Sequence, residues 1–210
     1  GVALPSGIKA APMNTAAVVA RLRGVRLRHR RTLALDGIDL DLPGGSLVGY
    51  GYWIEDRDVA SASTRTLGLR WSASRVLSKD WKGGLVLDSV QQTPWADANG
   101  GSAAYMLVEP RLERGSLVLK AGWERLGAGR ARAFQTPLAT LHAFNGWADK
   151  FLATPANGLR DTYVSAQGGL EIGSRKGKWE VAFHEFRGAR GNLRYGSELD
   201  ASLGVTLRPG

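Results

Sequence analysis

At 210 residues, with 43% hydrophobic and 22% charged, the chain is too apolar to be disordered and long enough for one large all-β domain or two small ones. It has no Cys and only three His, at 29, 142 and 184, which excludes a disulfide framework and a thiolate metal site and leaves no metal or cofactor expected. The net charge of +9 would suit an anionic partner, but six arginines crowd into 21–31, RLRGVRLRHRR, and charges elsewhere are mixed, so nucleic acid is not an expected partner.

Residues 1–12, GVALPSGIKAAP, have no period and read as a tail; with Gly1 first and no signal sequence, the chain reads as a fragment or a processed product. VVARLRGVRLRH (18–29) alternates imperfectly, whereas TLALDGIDLDLPGGSLVG (32–49) alternates cleanly, and the two are expected as short strands closing on the Pro-Gly-Gly turn. A change of texture near Leu47 divides the chain into an expected 1–46 and 47–210.

Beyond that point the segments alternate between an apolar face and a face of small, polar and charged residues. Residues 64–74 set Leu67, Leu69, Trp71 and Ala73 against Thr66, Gly68, Arg70, Ser72 and Ser74. Residues 80–90 set Trp81, Leu85 and Leu87 against Lys82 and Asp88, and 116–124 set Leu117, Leu119, Ala121 and Trp123 against Lys120 and Glu124. In 178–186, Trp179, Val181 and Phe183 oppose Lys178, Glu180 and His184; in 195–207, Tyr195, Leu199, Ala201 and Leu203 oppose Glu198 and Asp200.

The exception is 134–159, FQTPLATLHAFNGWADKFLATPANGL, about twice the length at which unstructured loops become uncommon and rich in aromatic residues. It reads either as an Ω-type loop lying on its own side chains or as the carrier of function. Its lone His142 reads as a packed or hydrogen-bonded structural residue, and Asn145-Gly146 suits a turn at its tip. No Ser-His-Asp constellation is signalled, and no enzymatic activity is expected.

Strands of this texture fit a soluble β-sandwich or lipocalin-like barrel that binds a ligand, or an antiparallel transmembrane β-barrel with lipid on its apolar face. No run of about 18 apolar residues occurs, which excludes a transmembrane helix but not barrel strands, since these need only about 10 alternating residues. Trp71, Trp81, Trp123, Trp179 and Tyr195 sit near strand ends as an aromatic girdle would, and short turns such as 174–178 alternate with longer connections such as 94–101 and 187–194. The membrane barrel is the reading these features favour.

Two resemblances extend it. Residues 18–49 resemble the first strands of an ABC-transporter ATP-binding domain, with 49 followed by YGYWIEDR where a phosphate loop should stand, so a fused fragment without ATP binding is expected. The stretches LVGYGYWIEDRD, STRTLGLR, GWERLG, FQTPLATLHAFNGWADKFLATPANGLRDTYVS and YGSELD resemble, in order over about 47–207, the alginate-export family of outer-membrane β-barrel porins. That family forms barrels on the order of 18 strands; about eight are legible here, so the resemblance implies a partial barrel with one long inward-folding loop. It further implies a place in the bacterial outer membrane, membrane lipids as partners, and passive export or uptake of an organic, anionic or polysaccharide solute. The implied lumen carries Arg70, Lys120, Lys178, Asp88, Glu124, Glu171, Glu180, Glu198 and Asp200, with His142, Asn145 and Asp149 near the constriction. Acids outnumber bases in that set, so specificity for alginate does not follow from the family.

Overall fold

The computed structural model describes residues 18–29, 32–43, 45–137, 145–173 and 175–206, with the backbone path alone for 18–43. His142 and Phe144 therefore lie outside the described residues. The chain is all-β and falls into two compact units, 1–45 and 46–210.

The first unit holds β1 (Val18–His29) and β2 (Thr32–Pro43), paired antiparallel from His29↔Thr32 to Val18↔Pro43. The hairpin thus closes at the His29↔Thr32 pair and not at Pro-Gly-Gly. Pro43 ends β2 because proline has no N–H for the ladder, and this cuts the alternating run 32–49 into two strands that belong to different sheets. The register slips between Leu22 and Val25, around Gly24, where the alternation of β1 also fails.

The second unit is one eight-stranded antiparallel sheet in the order β10-β9-β8-β7-β6-β5-β4-β3, each strand beside its sequence neighbour. Its strands are β3 (Ser46–Ile54), β4 (Thr64–Val76), β5 (Lys82–Pro94), β6 (Ala103–Arg114), β7 (Leu117–Leu126), β8 (Leu159–Ile172), β9 (Arg175–Arg187) and β10 (Arg194–Val205). The longer connections, from β3 to β4, β5 to β6, β7 to β8 and β9 to β10, all leave from one end; the shorter ones, from β4 to β5, β6 to β7 and β8 to β9, leave from the other. The expected barrel is not closed among the described residues: β3 pairs only with β4 and β10 only with β9, so both edges keep unpaired backbone groups.

Register assigns every side chain to a face, because residues paired across antiparallel strands point the same way. Two chains of partners on one face run Tyr52↔Thr66↔Gln92↔Ala103 and Arg70↔Asp88↔Leu107↔Glu124↔Asp161↔Phe186. This polar face is where burial occurs: Thr66, Gln92, Glu124, Asp161 and His184 are all buried there. The opposite face carries Leu67, Leu69, Leu87, Met106, Val108, Val164, Val181, Phe183, Leu199 and Leu203, and all of these are exposed.

Two glycines let the polar face pack. The ring of Tyr50 lies over its partner Gly68, and the ring of Tyr163 over its partner Gly122, so a Cβ at either glycine would enter the ring. Tyr195 departs from expectation. A register shift between Arg194 and Gly196 turns it off the apolar face, and its ring meets Phe151 at 5.8 Å while its hydroxyl donates to the Gly158 carbonyl at 3.1 Å. Among the tryptophans, Trp53 and Trp95 meet edge-on at the long-connection end (centroids 6.5 Å apart), and Trp81 lies under Arg114 at the tight-turn end.

Candidate functional site

The described parts of the β7–β8 connection, 127–137 and 145–158, lie on the polar face, fastened by a ladder of side-chain clasps. Gln92 on β5 accepts from the Gln135 N–H (2.9 Å) and donates to the Gln135 carbonyl (2.8 Å); the Gln135 amide in turn bonds both N–H and carbonyl of Thr154, each at 3.2 Å. The two ends of the loop are thereby held to one strand and to each other. Phe134, 3% exposed, stacks on Tyr105 of β6 at 5.5 Å, and Phe151 packs on Phe186 of β9 at 4.8 Å. Arg132 ties the loop base to the carbonyls of Ser61 and Ser63, and burial draws its guanidinium below the ordinary range.

At the tip, Asn145 and Gly146 take φ of 58° and 86°, a left-handed pair that glycine permits freely and asparagine tolerates better than most residues. The turn rests on Glu198 of β10, whose Oε1 accepts from the Ala148 N–H at 2.8 Å. Beneath it lies a cavity of about 190 Å³ lined from β4 to β9, by Arg70, Glu109, Lys120, Glu124, Asp161 and Glu180 among others. A face on which β4 and β9 line one cavity is concave. A second cavity of about 620 Å³ shares Arg70, Glu124 and Asn145 with the first and continues along Tyr50, Tyr52, Trp53, Tyr105 and Phe134.

Tyrosine hydroxyls hold the carboxylates in place. Tyr50 donates to Asp88 at 3.0 Å, Tyr105 to Glu124 at 2.7 Å and Tyr163 to Glu109 at 2.5 Å. Arg70 meets the other oxygen of Asp88 at 3.3 Å, and His184 Nδ1 lies 2.8 Å from Asp161 Oδ2, its ring stacked between Tyr163 and Phe186. Each of these carboxylates therefore has at least one arranged partner, and Asp88 has two. Asp161 Oδ1 and Asn145 Oδ1 are buried and have none.

Of the residues singled out from sequence, Arg70, Lys120, Glu124, Glu180 and Asn145 line the smaller cavity and Asp88 the larger; Glu198 supports the roof of the smaller one, and Asp200 is buried on β10. Lys178 is on the polar face but exposed toward the tight-turn end, and Asp149, half-buried with φ 52°, stands in the loop outside both linings. Sequence reasoning passed over Glu109, Asp161 and Tyr163. The first is hidden by Pro110, which reads as a strand breaker yet sits within β6, where the pairing with β7 skips from Val108↔Trp123 to Arg111↔Lys120. The other two were legible in LRDTYVSAQ as period-two neighbours.

Among the described residues, no group of His, Cys, Asp and Glu has the arrangement to hold a metal ion. Comparison with family models, with curated proteins and with solved structures gives no match.

Proposed function

We propose that residues 47–207 belong to a bacterial outer-membrane β-barrel channel of the alginate-export kind, in which the polar face lines a lumen, the 127–158 segment narrows it, and an organic solute passes without catalysis. The observation that carries this reading is the inversion of burial: the sheet buries Gln92, Glu124 and Asp161 while exposing Leu67, Val164, Phe183, Leu199 and Leu203 on its other face. A water-soluble sheet arranges itself the opposite way, since a continuous apolar face in water is a large liability. Lipid against that face removes the conflict, and the all-long and all-short ends of the sheet match the loop asymmetry of outer-membrane barrels. Tryptophans near both ends suit the two headgroup levels.

The test is the medium in which the sheet exists. The chain is expected to give a β-type circular dichroism spectrum and monodisperse sedimentation in detergent or lipid, with tryptophan emission quenched by brominated lipids, and to aggregate when detergent is withdrawn. A folded, monodisperse chain in plain buffer would overturn the channel and favour a soluble binder.

A further inference from the structure

From the chemistry of the two joined cavities we infer that the solute recognised is an organic cation, with its ammonium or guanidinium group in the smaller cavity and its apolar or aromatic body along the larger one. This inference rests on the channel reading for its biology, but not for its chemistry. On the polar face the described strands present nine carboxylates (Asp88, Glu109, Glu113, Glu124, Asp161, Glu171, Glu180, Glu198, Asp200) against six Lys and Arg. The bases are also unevenly placed. Lys82, Arg111, Lys176 and Lys178 stand toward the tight turns, whereas Glu124, Asp161, Glu198 and Asp200 lie under the loop. Two bases reach the smaller cavity, Arg70, which is engaged by Asp88, and Lys120, and they face four carboxylates there, Glu109, Glu124, Asp161 and Glu180.

A second observation points to the ligand independently of that charge. Asp161, 1% exposed, leaves Oδ1 unpartnered, and Asn145, 9% exposed, leaves Oδ1 unpartnered at the roof of the same cavity. Both are acceptors. A buried acceptor without a donor is costly, and an occupant able to satisfy two at once must bring at least two N–H or O–H donors, of which a cationic head group is the kind that the surrounding carboxylates favour. A carboxylated sugar brings the wrong sign. At about 190 Å³ the cavity suits a charged head group and not a whole molecule, which is why its opening onto the Tyr50, Tyr52, Tyr105 and Phe134 wall matters: aromatic rings take an apolar body and attract a cation passing over their faces.

Benzylammonium, benzoate and benzyl alcohol, titrated by calorimetry into the full chain in whichever medium keeps it folded, separate the alternatives. Benzylammonium is expected to bind saturably, and benzoate and benzyl alcohol at least about tenfold more weakly, the scale of a hydrogen bond to a charged group. Glu124→Gln should weaken benzylammonium by about the same factor, while Asn145→Asp, which keeps a residue tolerant of the left-handed turn and adds a charge, should tighten it. Benzoate binding as tightly as benzylammonium, no saturable benzylammonium binding by folded chain, or an Asn145→Asp affinity equal to that of the parent would each overturn the inference. A chain that folds in buffer and still binds benzylammonium would remove the channel and leave this subsite standing; a detergent-dependent fold that ignores benzylammonium would remove the subsite alone.

Discussion

Replacing His184 with Leu is expected to destabilise the sheet by about 3–5 kcal/mol, read as a shift of the guanidinium unfolding midpoint in detergent. The reason is Asp161, which is 1% exposed and has His184 Nδ1 as its arranged partner at 2.8 Å. Removing the imidazole leaves a carboxylate in a site that water scarcely reaches, and its other oxygen has no donor to compensate. The ring also stacks on Tyr163 and Phe186, contacts that leucine reproduces only in part. The double variant Asp161→Leu with His184→Leu should recover more than half of the loss, since replacing both partners removes the stranded charge. Equal destabilisation by the single and double variants would mean that packing and not the pair holds this region.

The second large effect concerns the loop. Phe134→Ala should cost about 3–5 kcal/mol, the range for truncating a buried Phe ring, because this side chain is 3% exposed and joins the loop to Tyr105. The loss should appear first as release of the loop: earlier proteolysis within 136–153, with the strands still protected. In planar bilayers, a closed barrel carrying Phe134→Ala should conduct better and discriminate less among solutes than the parent, as should one with 138–152 replaced by a short Gly-Ser linker. That replacement leaves the Gln92–Gln135–Thr154 clasp in place, so any change reports on the tip around Asn145 together with the Phe151 contact to Phe186, and not on the clasp. Unchanged conductance in both would make the loop an outer cover and move the constriction to the strand charges.

The face assignments of this fold were open to reading from period two alone. Leu67, Leu69 and Trp71 opposite Thr66, Gly68 and Arg70, or Val181 and Phe183 opposite Glu180 and His184, stand in the structure as the alternation implies. Local pattern failed where one residue breaks the count. The shift before Gly196 sends Tyr195 to the other face, Pro43 divides an unbroken-looking run, and Pro110 disguises β6. What a period cannot hold is the partner at long range. Gln92 and Gln135 are 43 positions apart, and Tyr163 and Glu109 are 54 apart, so nothing near either residue announces the bond. The cavity was legible as a list of charges and not as a place, because closeness across six strands is set by sheet curvature, to which single-strand alternation is blind.

The most direct test of a lipid-facing apolar side is a charge placed in the middle of it. Val164, on β8, is 55% exposed between the outward residues Ala121 and Phe183. If that face meets lipid, Val164→Arg should cost about 2–4 kcal/mol in guanidinium unfolding from lipid vesicles, the penalty for arginine near a bilayer midplane. If it meets water, an arginine at a half-exposed strand position should change stability by no more than about 0.5 kcal/mol, and that result would contradict the membrane barrel.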